Sequence, residues 1–130
     1  MTRLYHACDA SDLDAILRDG LRPGAWLTSS PEVADYYAEG IAEDGGTPAV
    51  VETGLDELVA AVGEEMVEPD RPGIAEPITR AIGKTEDEVH AEWEACGGSW
   101  RDSLEVVQSI RVMAAIPAAI LSAPASRPAP

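Results

Sequence analysis

Phenylalanine is absent from the sequence, and aromatic residues of all kinds make up only 5% of its 130 positions. A core of stacked aromatic rings is therefore excluded, and the interior must rest on Val, Ile, Leu, Ala and Met. A domain of this length buries roughly two thirds of the surface that its unfolded chain exposes, so one core is expected. Trp26, Trp93 and Trp100 are expected to be bulky pieces of that core.

Cysteine is scarce, with only Cys8 and Cys96 present. Two thiols so far apart form neither a disulfide framework nor a metal-binding pattern, and His6 and His90 add no zinc motif. We expect reduced thiols, a cytoplasmic protein and no bound metal. No apolar run approaches the roughly 20 residues that span a bilayer, and no signal peptide is visible, so no membrane partner is expected.

Lysine occurs once, at Lys84, and acidic residues outnumber basic ones by 24 to 9, which gives a formal net charge of -15. Such a field repels nucleic-acid phosphates and anionic lipid headgroups, so direct binding to nucleic acid is not expected. Three interpretations stay open: solubility or adaptation to salt, mimicry of nucleic acid in the basic groove of a protein partner, and a basic macromolecular substrate.

Capping residues and apolar spacing divide the first half of the chain into alternating strands and helices. Ser11 with Asp14, and Ser30 before Pro31, are typical of helix starts, and Gly20 is typical of a helix end. Strands are predicted at 3–7, 25–28 and 49–52, and helices at 11–20, 30–43 and 56–62.

The second half is less regular. Residues 63–77 are rich in Pro and acids and are predicted to be a long surface loop. Thr85 opens a helix with a capping box. A link at 100–104 precedes a strand at 106–113, and a Pro/Ala-rich tail at 122–130 is expected to be disordered. The sequence predicts one α+β domain at 1–121.

Short motifs follow one another in a specific order over residues 1–40. A strand with a Tyr-His pair leads to an amphipathic helix, a Gly-Leu turn, a second strand ending in Leu-Thr, and a Ser/Pro-capped helix. Near the other end, a strand runs into an Ile-Pro turn. The motifs are Tyr5-His6, Gly20-Leu21, Trp26-Leu27-Thr28, the Ala34, Tyr36, Tyr37 and Ala38 run, and Ile116-Pro117 with Ile120.

In this order the motifs resemble the ADP-ribosyltransferase-like superfamily, which includes tRNA 2′-phosphotransferases and bacterial enzymes that modify DNA or protein. The resemblance implies an α+β fold of split antiparallel β-sheets with flanking short helices, in which the first and last strands are neighbours. It also implies that NAD is held as a substrate in the cleft between the sheets.

The resemblance further implies roles for individual side chains. His6 would hydrogen-bond a hydroxyl of the nicotinamide ribose, and Tyr36 or Tyr37 would stack on the nicotinamide ring. An arginine would meet the pyrophosphate as a fork donor, and hydroxyl groups would line the second strand of the cleft. These further contacts to NAD are implied for Arg22, Thr28 and Ser29.

Two departures from the family pattern bear on catalysis. Ala7-Cys8 stands where Gly-Thr usually follows the histidine, and Ala7 partly fills space through which a ligand would approach the backbone. The closing strand usually carries a glutamate, but here Gln108 or Ser109 takes that place and is a poorer partner for a developing positive charge. Glu105 would serve only in a different register. The candidate catalytic residues are His6, Tyr37, Gln108 and Glu105.

These observations predict an NAD-binding, ADP-ribosyltransferase-like protein that modifies a macromolecule with weakened catalysis. The alternatives are a non-catalytic acidic inhibitor that mimics nucleic acid and binds a basic protein partner, and a nucleotide-binding pseudoenzyme. The enzyme hypothesis requires His6, a tyrosine and a carboxylate to converge in one cleft. The mimic requires aligned carboxylates on a convex face.

Overall fold

A computed structural model describes residues 2–70 and 76–123. Strands and helices alternate through most of this part of the chain, so the predicted α+β class is confirmed. Two short 3₁₀ turns, Glu64–Met66 and Ala118–Ile120, complete it. The elements are β1 (Arg3–Asp9), α1 (Ala10–Asp19), β2 (Ala25–Thr28), α2 (Pro31–Glu43), β3 (Pro48–Gly54), α3 (Leu55–Val62), β4 (Val67–Pro69), α4 (Glu76–Ala81), α5 (Glu86–Ala95), α6 (Trp100–Val106) and β5 (Ser109–Val112).

The strands form one antiparallel sheet in the order β3-β1-β2-β5-β4. β1 pairs with β3 over its whole length, and β2 pairs with β5 over its whole length. Between these two ribbons, β1 and β2 are paired at Tyr5 and Thr28 alone. The sheet is therefore nearly divided along the line between β1 and β2.

The expected adjacency of the first and last strands is wrong. β2 lies between β1 and β5 and pairs with both of them. The motifs fix the type of each strand, but the neighbours of a strand are decided by non-local pairing, which short motifs do not encode.

The main core is aliphatic, as the absence of Phe requires. Side chains of all five strands meet Leu58 of α3 and the chain after β5, and α1 adds Leu13, Ile16 and Leu17 at helical spacing. A smaller cluster of Val89, Val106 and Val107 joins α5 to α6, with Trp93 against it. The buried members of the main core are Leu4, Leu21, Leu27, Val51, Leu58, Val67, Trp100, Ile110, Val112, Ile116 and Leu121.

Most helix boundaries follow their capping signals. Ser30 caps α2 through the Val33 amide, and Thr85 opens α5 with the predicted capping box. The predicted Ser11 cap of α1 is wrong, because β1 runs on to Asp9 and that carboxylate accepts the Ser11 amide at 3.0 Å. A carboxylate at the end of a strand is the better acceptor for the free amides of the first helical turn.

Two elements were not predicted from the sequence. β4 lies inside the range expected to be a surface loop. α6 forms where a link was expected and extends into the strand predicted at 106–113, so that strand is shortened to β5. A Ser99–Asp102 capping box starts α6. Ser122, expected to open the disordered tail, exchanges two backbone hydrogen bonds with Glu52 of β3. Positions 124–130 of that tail lie outside the described residues.

None of the helices in the described ranges is long and apolar enough to cross a membrane.

Gly20 provides a test of how the chain turns from α1 towards β2. Its φ is +88°, and a Cβ there would overlap the carbonyl of Ile116, whose bridge with Leu21 closes this turn. We expect Gly20→Ala to lower the free energy of unfolding by roughly 3 kcal/mol, because strain and a backbone clash add. Urea denaturation measures this loss.

Gly24 is the matched control. Its φ is +92°, but a Cβ would meet nothing within 4 Å. Gly24→Ala should lower the free energy of unfolding by only about 1–2 kcal/mol, which is the cost of a Cβ in the left-handed backbone region. Equal losses for the two variants would show that the Ile116 carbonyl does not confine this turn.

Candidate functional site

A cleft of about 740 Å³ opens where β1 and β2 separate beyond the Tyr5–Thr28 pair. Its walls are one end of β1, one face of α1 and the turn into β2, and we call it the β1–α1 cleft. The size suits a nucleotide, since small-molecule sites span about 300–1,000 Å³. The residues lining it are His6, Ala7, Cys8, Asp9, Asp12, Ala15, Ile16, Asp19, Gly20, Leu21, Arg22, Pro23, Gly24, Ala25 and Ala115.

Carboxylates outnumber cations on the walls of the cleft. Asp9 is held by amides at the start of α1, which lowers its pKa, and Asp19 pairs with Arg18 at 3.0 Å. Asp12 adds a third carboxylate, and Arg22 is exposed at the opposite wall. A pyrophosphate in this cleft would therefore find its cationic partner at Arg22 alone among the lining residues, as the fork geometry of arginine allows.

His6 is half-buried on β1, and its Nδ1 lies 2.6 Å from the carbonyl oxygen of Trp26. A carbonyl only accepts, so Nδ1 carries a proton and donates it, and in this tautomer Nε2 is the acceptor of the ring. His6 thus bridges the gap between the two diverging strands. Its ring is oriented by the backbone of β2 and lines the cleft.

Trp26 connects His6 to the tyrosines. Its ring lies 4.5 Å from the ring of Tyr37, and Tyr36 meets Tyr37 edge to face at 5.3 Å. The indole N–H donates to Asp70 at 2.5 Å. Burial raises the pKa of Tyr37, and the charge of Asp70 adds to the effect, followed by that of Tyr36.

Thr28 and Ser29 bind the backbone of the turn before β5. The carbonyl of Gln108 accepts the Thr28 hydroxyl at 2.6 Å and the Ser29 amide at 2.9 Å. Among the described residues, Gln108 is also the one non-glycine with a positive φ, at +59°. Gln108, one of the two residues expected in place of the family's glutamate, thus has a left-handed backbone conformation, and such residues cluster at functional sites.

Ser109 and Glu105 do not reach the cleft. Ser109 is buried and its carbonyl accepts the hydroxyl of Ser103 at 2.6 Å. Glu105 is exposed on α6, where its carbonyl accepts from Lys84 at 3.1 Å. Neither side chain lines the cleft with His6, so the carboxylates closest to His6 in the lining are those of α1 and its cap.

The predicted residues therefore fall into three neighbouring sets around β2. His6 and Arg22 line the β1–α1 cleft, Tyr36 and Tyr37 lie against Trp26 and are not among its lining residues, and Thr28 and Ser29 bind the turn at Gln108. Glu105 and Ser109 belong to none of these sets. Trp26 is an additional residue of this candidate site, and the sequence analysis assigned it to the core. Its place directly before Leu27-Thr28 in the motif was the available signal. The contact of Asp70 with the Trp26 indole was not predicted.

Across the described ranges, no three His, Cys, Asp or Glu side chains gather closely enough to hold a metal ion.

No protein-family model matches the sequence, and comparisons with curated proteins and with solved structures found no match either.

Thr28 provides a test of the β2–Gln108 connection. Its hydroxyl is fully buried, donates to Gln108 and accepts the Ser30 amide at 3.1 Å. Thr28→Val should destabilise the protein by roughly 2 kcal/mol, because both partners stay buried without it. Thermal or urea unfolding measures the change.

Thr53 is the matched control, since it is equally buried but its Oγ1 has no partner. Thr53→Val should be neutral or stabilise by about 1 kcal/mol, because a buried unpaired hydroxyl is replaced by a methyl group. A loss at Thr53 equal to that at Thr28 would contradict the assigned hydrogen bonds.

Cys8 reports on the electrostatics of the cleft. Burial raises its pKa, and the charges of Asp12 and Asp9 raise it further. In a Cys96→Ser variant, alkylation of native Cys8 should rise with pH only above the roughly 8.5 of a free thiol. Asp12→Asn should shift this midpoint down.

The same shift predicts a pH effect on stability. The native state holds the Cys8 proton more tightly, so this contribution is complete below the pKa of the unfolded thiol and is lost as pH rises above it. If the pH midpoint of Cys8 alkylation in the native protein is at or below that of the denatured chain, the cleft around Cys8 is neither desolvated nor negatively charged.

Proposed function

We propose that the protein binds NAD at β2 and is an ADP-ribosyltransferase-like protein of altered catalysis that modifies a macromolecule. The observation that carries this is the arrangement around β2. In β2, the carbonyl of Trp26 accepts from His6 and the Trp26 ring packs against Tyr37. Thr28 and the following Ser29 hold the strained turn at Gln108. The near division of the sheet between β1 and β2 supports a split-sheet arrangement of this family's kind, although β2 takes the place expected for β5 beside β1.

Each group has a role in the proposed complex. The free Nε2 of His6 accepts a ribose hydroxyl, Arg22 meets the pyrophosphate, and Trp26 with Tyr37 offers aromatic faces to the nicotinamide. In transfer, the bond between nicotinamide and ribose breaks and nicotinamide leaves with the electron pair. A nucleophile of the macromolecule then bonds to the ribose carbon and releases its proton.

Gln108 sets the expected rate of that step. A neutral amide stabilises a developing cation less than a carboxylate does. Its carbonyl is committed to Thr28 and Ser29, so the turn itself is fixed. This favours slow transfer, and it makes a nucleotide-binding protein without turnover the second candidate function.

NAD binding is tested by calorimetry on the wild type and on His6→Ala, at low and at high salt. We expect saturable binding at millimolar NAD or below and at least a roughly tenfold loss of affinity in His6→Ala, because an oriented hydrogen-bonding group is removed. Glu105→Ala is the control and should bind as the wild type does. No binding at either salt concentration would overturn the proposal.

Turnover is measured separately, as release of nicotinamide. Gln108→Glu should raise the rate by about tenfold or more if this position faces the reacting ribose, since it restores the missing charge. If the wild type and Gln108→Glu both bind NAD but release no nicotinamide, the transferase activity is refuted and the nucleotide-binding function stands.

A further inference from the structure

A second, smaller concavity lies on α2 and is distinct from the β1–α1 cleft. Its volume is about 210 Å³, and Tyr36, Tyr37, Glu39, Gly40 and Glu43 line it. We call it the α2 groove. It falls below the roughly 300 Å³ at which pockets for whole small molecules begin, so its size suits a single side chain.

Aromatic rings form one wall of the groove. Tyr37 is 38% exposed although its other contacts hold it against Trp26 at 4.5 Å and Tyr36 at 5.3 Å. Trp26 is held in turn by Asp70. These rings are therefore fixed in place with a face left open, which is the arrangement that attracts cations through the ring quadrupole.

Two carboxylates also line the groove. Glu39 and Glu43 are one helical turn apart and exposed, and neither takes part in an ion pair or side-chain hydrogen bond within the described ranges. α2 contains no Lys or Arg over Pro31–Glu43. The groove also lies towards the C-terminal end of α2, where the helix dipole is negative and favours a cation.

Gly40 also lines the groove and lies between Tyr36 and Glu43 along α2. It sits inside α2 with no positive φ, and a Cβ would meet nothing within 4 Å. Glycine in a helix interior costs about 1 kcal/mol relative to alanine, and no close packing contact here requires it. Its effect on the surface is to leave the groove open between Tyr36 and Glu43.

We propose that the α2 groove binds an arginine side chain of a basic polypeptide partner. A guanidinium is planar, stacks on aromatic faces and donates bidentate hydrogen bonds to carboxylates, which matches both the rings and the carboxylates of the groove. The chain's net charge of -15 attracts such a partner over a longer range. This site rests on α2 and needs no contact with His6, but it shares Tyr37 with the proposed nicotinamide contact.

The test is titration of the full chain with an acetylated, amidated tetra-arginine peptide, followed by the indole N–H resonance of Trp26. We expect saturable binding that shifts this resonance, since Tyr37 lies on that ring. The same peptide with citrulline, which is isosteric and uncharged, should not bind. A tetra-lysine peptide should bind several-fold more weakly, because an ammonium neither stacks nor forks.

Variants separate the groove from general charge attraction. Glu39→Gln with Glu43→Gln should weaken binding about tenfold, whereas the matched pair Glu65→Gln with Glu94→Gln should change it about twofold or less. Gly40→Ala should raise the melting temperature, because alanine favours the helix, yet weaken peptide binding, because its methyl group occupies the groove. A loss of binding in a more stable protein cannot be due to misfolding.

Two outcomes would overturn the proposal. Equal losses of affinity in the two glutamate pairs would show that the peptide is attracted by net charge alone, and equal binding of the citrulline peptide would show that no cation is recognised. Failure of NAD binding in calorimetry, with peptide binding intact, would refute only the proposed NAD site.

Discussion

The pairing of Tyr5 with Thr28 is the only main-chain ladder contact that joins β1 to β2 in the described structure. On one side of it the Thr28 hydroxyl donates to the carbonyl of Gln108, directly before β5, and on the other the His6 ring of β1 bonds to the carbonyl of Trp26 in β2. Because the two strands separate beyond this pair, a cleft opens beside them. His6 supplies a hydrogen bond between β1 and β2 where the ladder does not.

Most helices and strands could be predicted from local signals in the sequence, but those that depend on distant pairing could not. Ser30 with Pro31, and Thr85 with Glu88, satisfy the free amides of their helices through side chains within the same turn, so a reader of the sequence can find them. β4 is only three residues long and is made a strand by pairing with β5. The position of β2 between β1 and β5 likewise depends on partners far away in the chain.

The candidate site shows the same division. His6, Thr28, Ser29 and Tyr37 could be placed because they sit in motifs with a known order. Asp70 could not, since its role comes from the indole of Trp26, 44 residues earlier. The strained backbone of Gln108 was also out of reach, because a left-handed conformation at a non-glycine is imposed by tertiary contacts and leaves no mark on composition.

The bridge between Ser122 and Glu52 has a consequence for how molecules of this protein meet one another. β3 forms one border of the sheet, and exposed borders are templates for strand addition by a second chain. Ser122 occupies both hydrogen-bonding groups of Glu52, and Arg3 covers its carboxylate at 2.7 Å. The other border, β4, is only three residues long. When salt screens the strong mutual repulsion of these acidic molecules, blocked and shortened borders still oppose the growth of intermolecular sheets. Colloidal stability is thereby built into the backbone as well as into the charge.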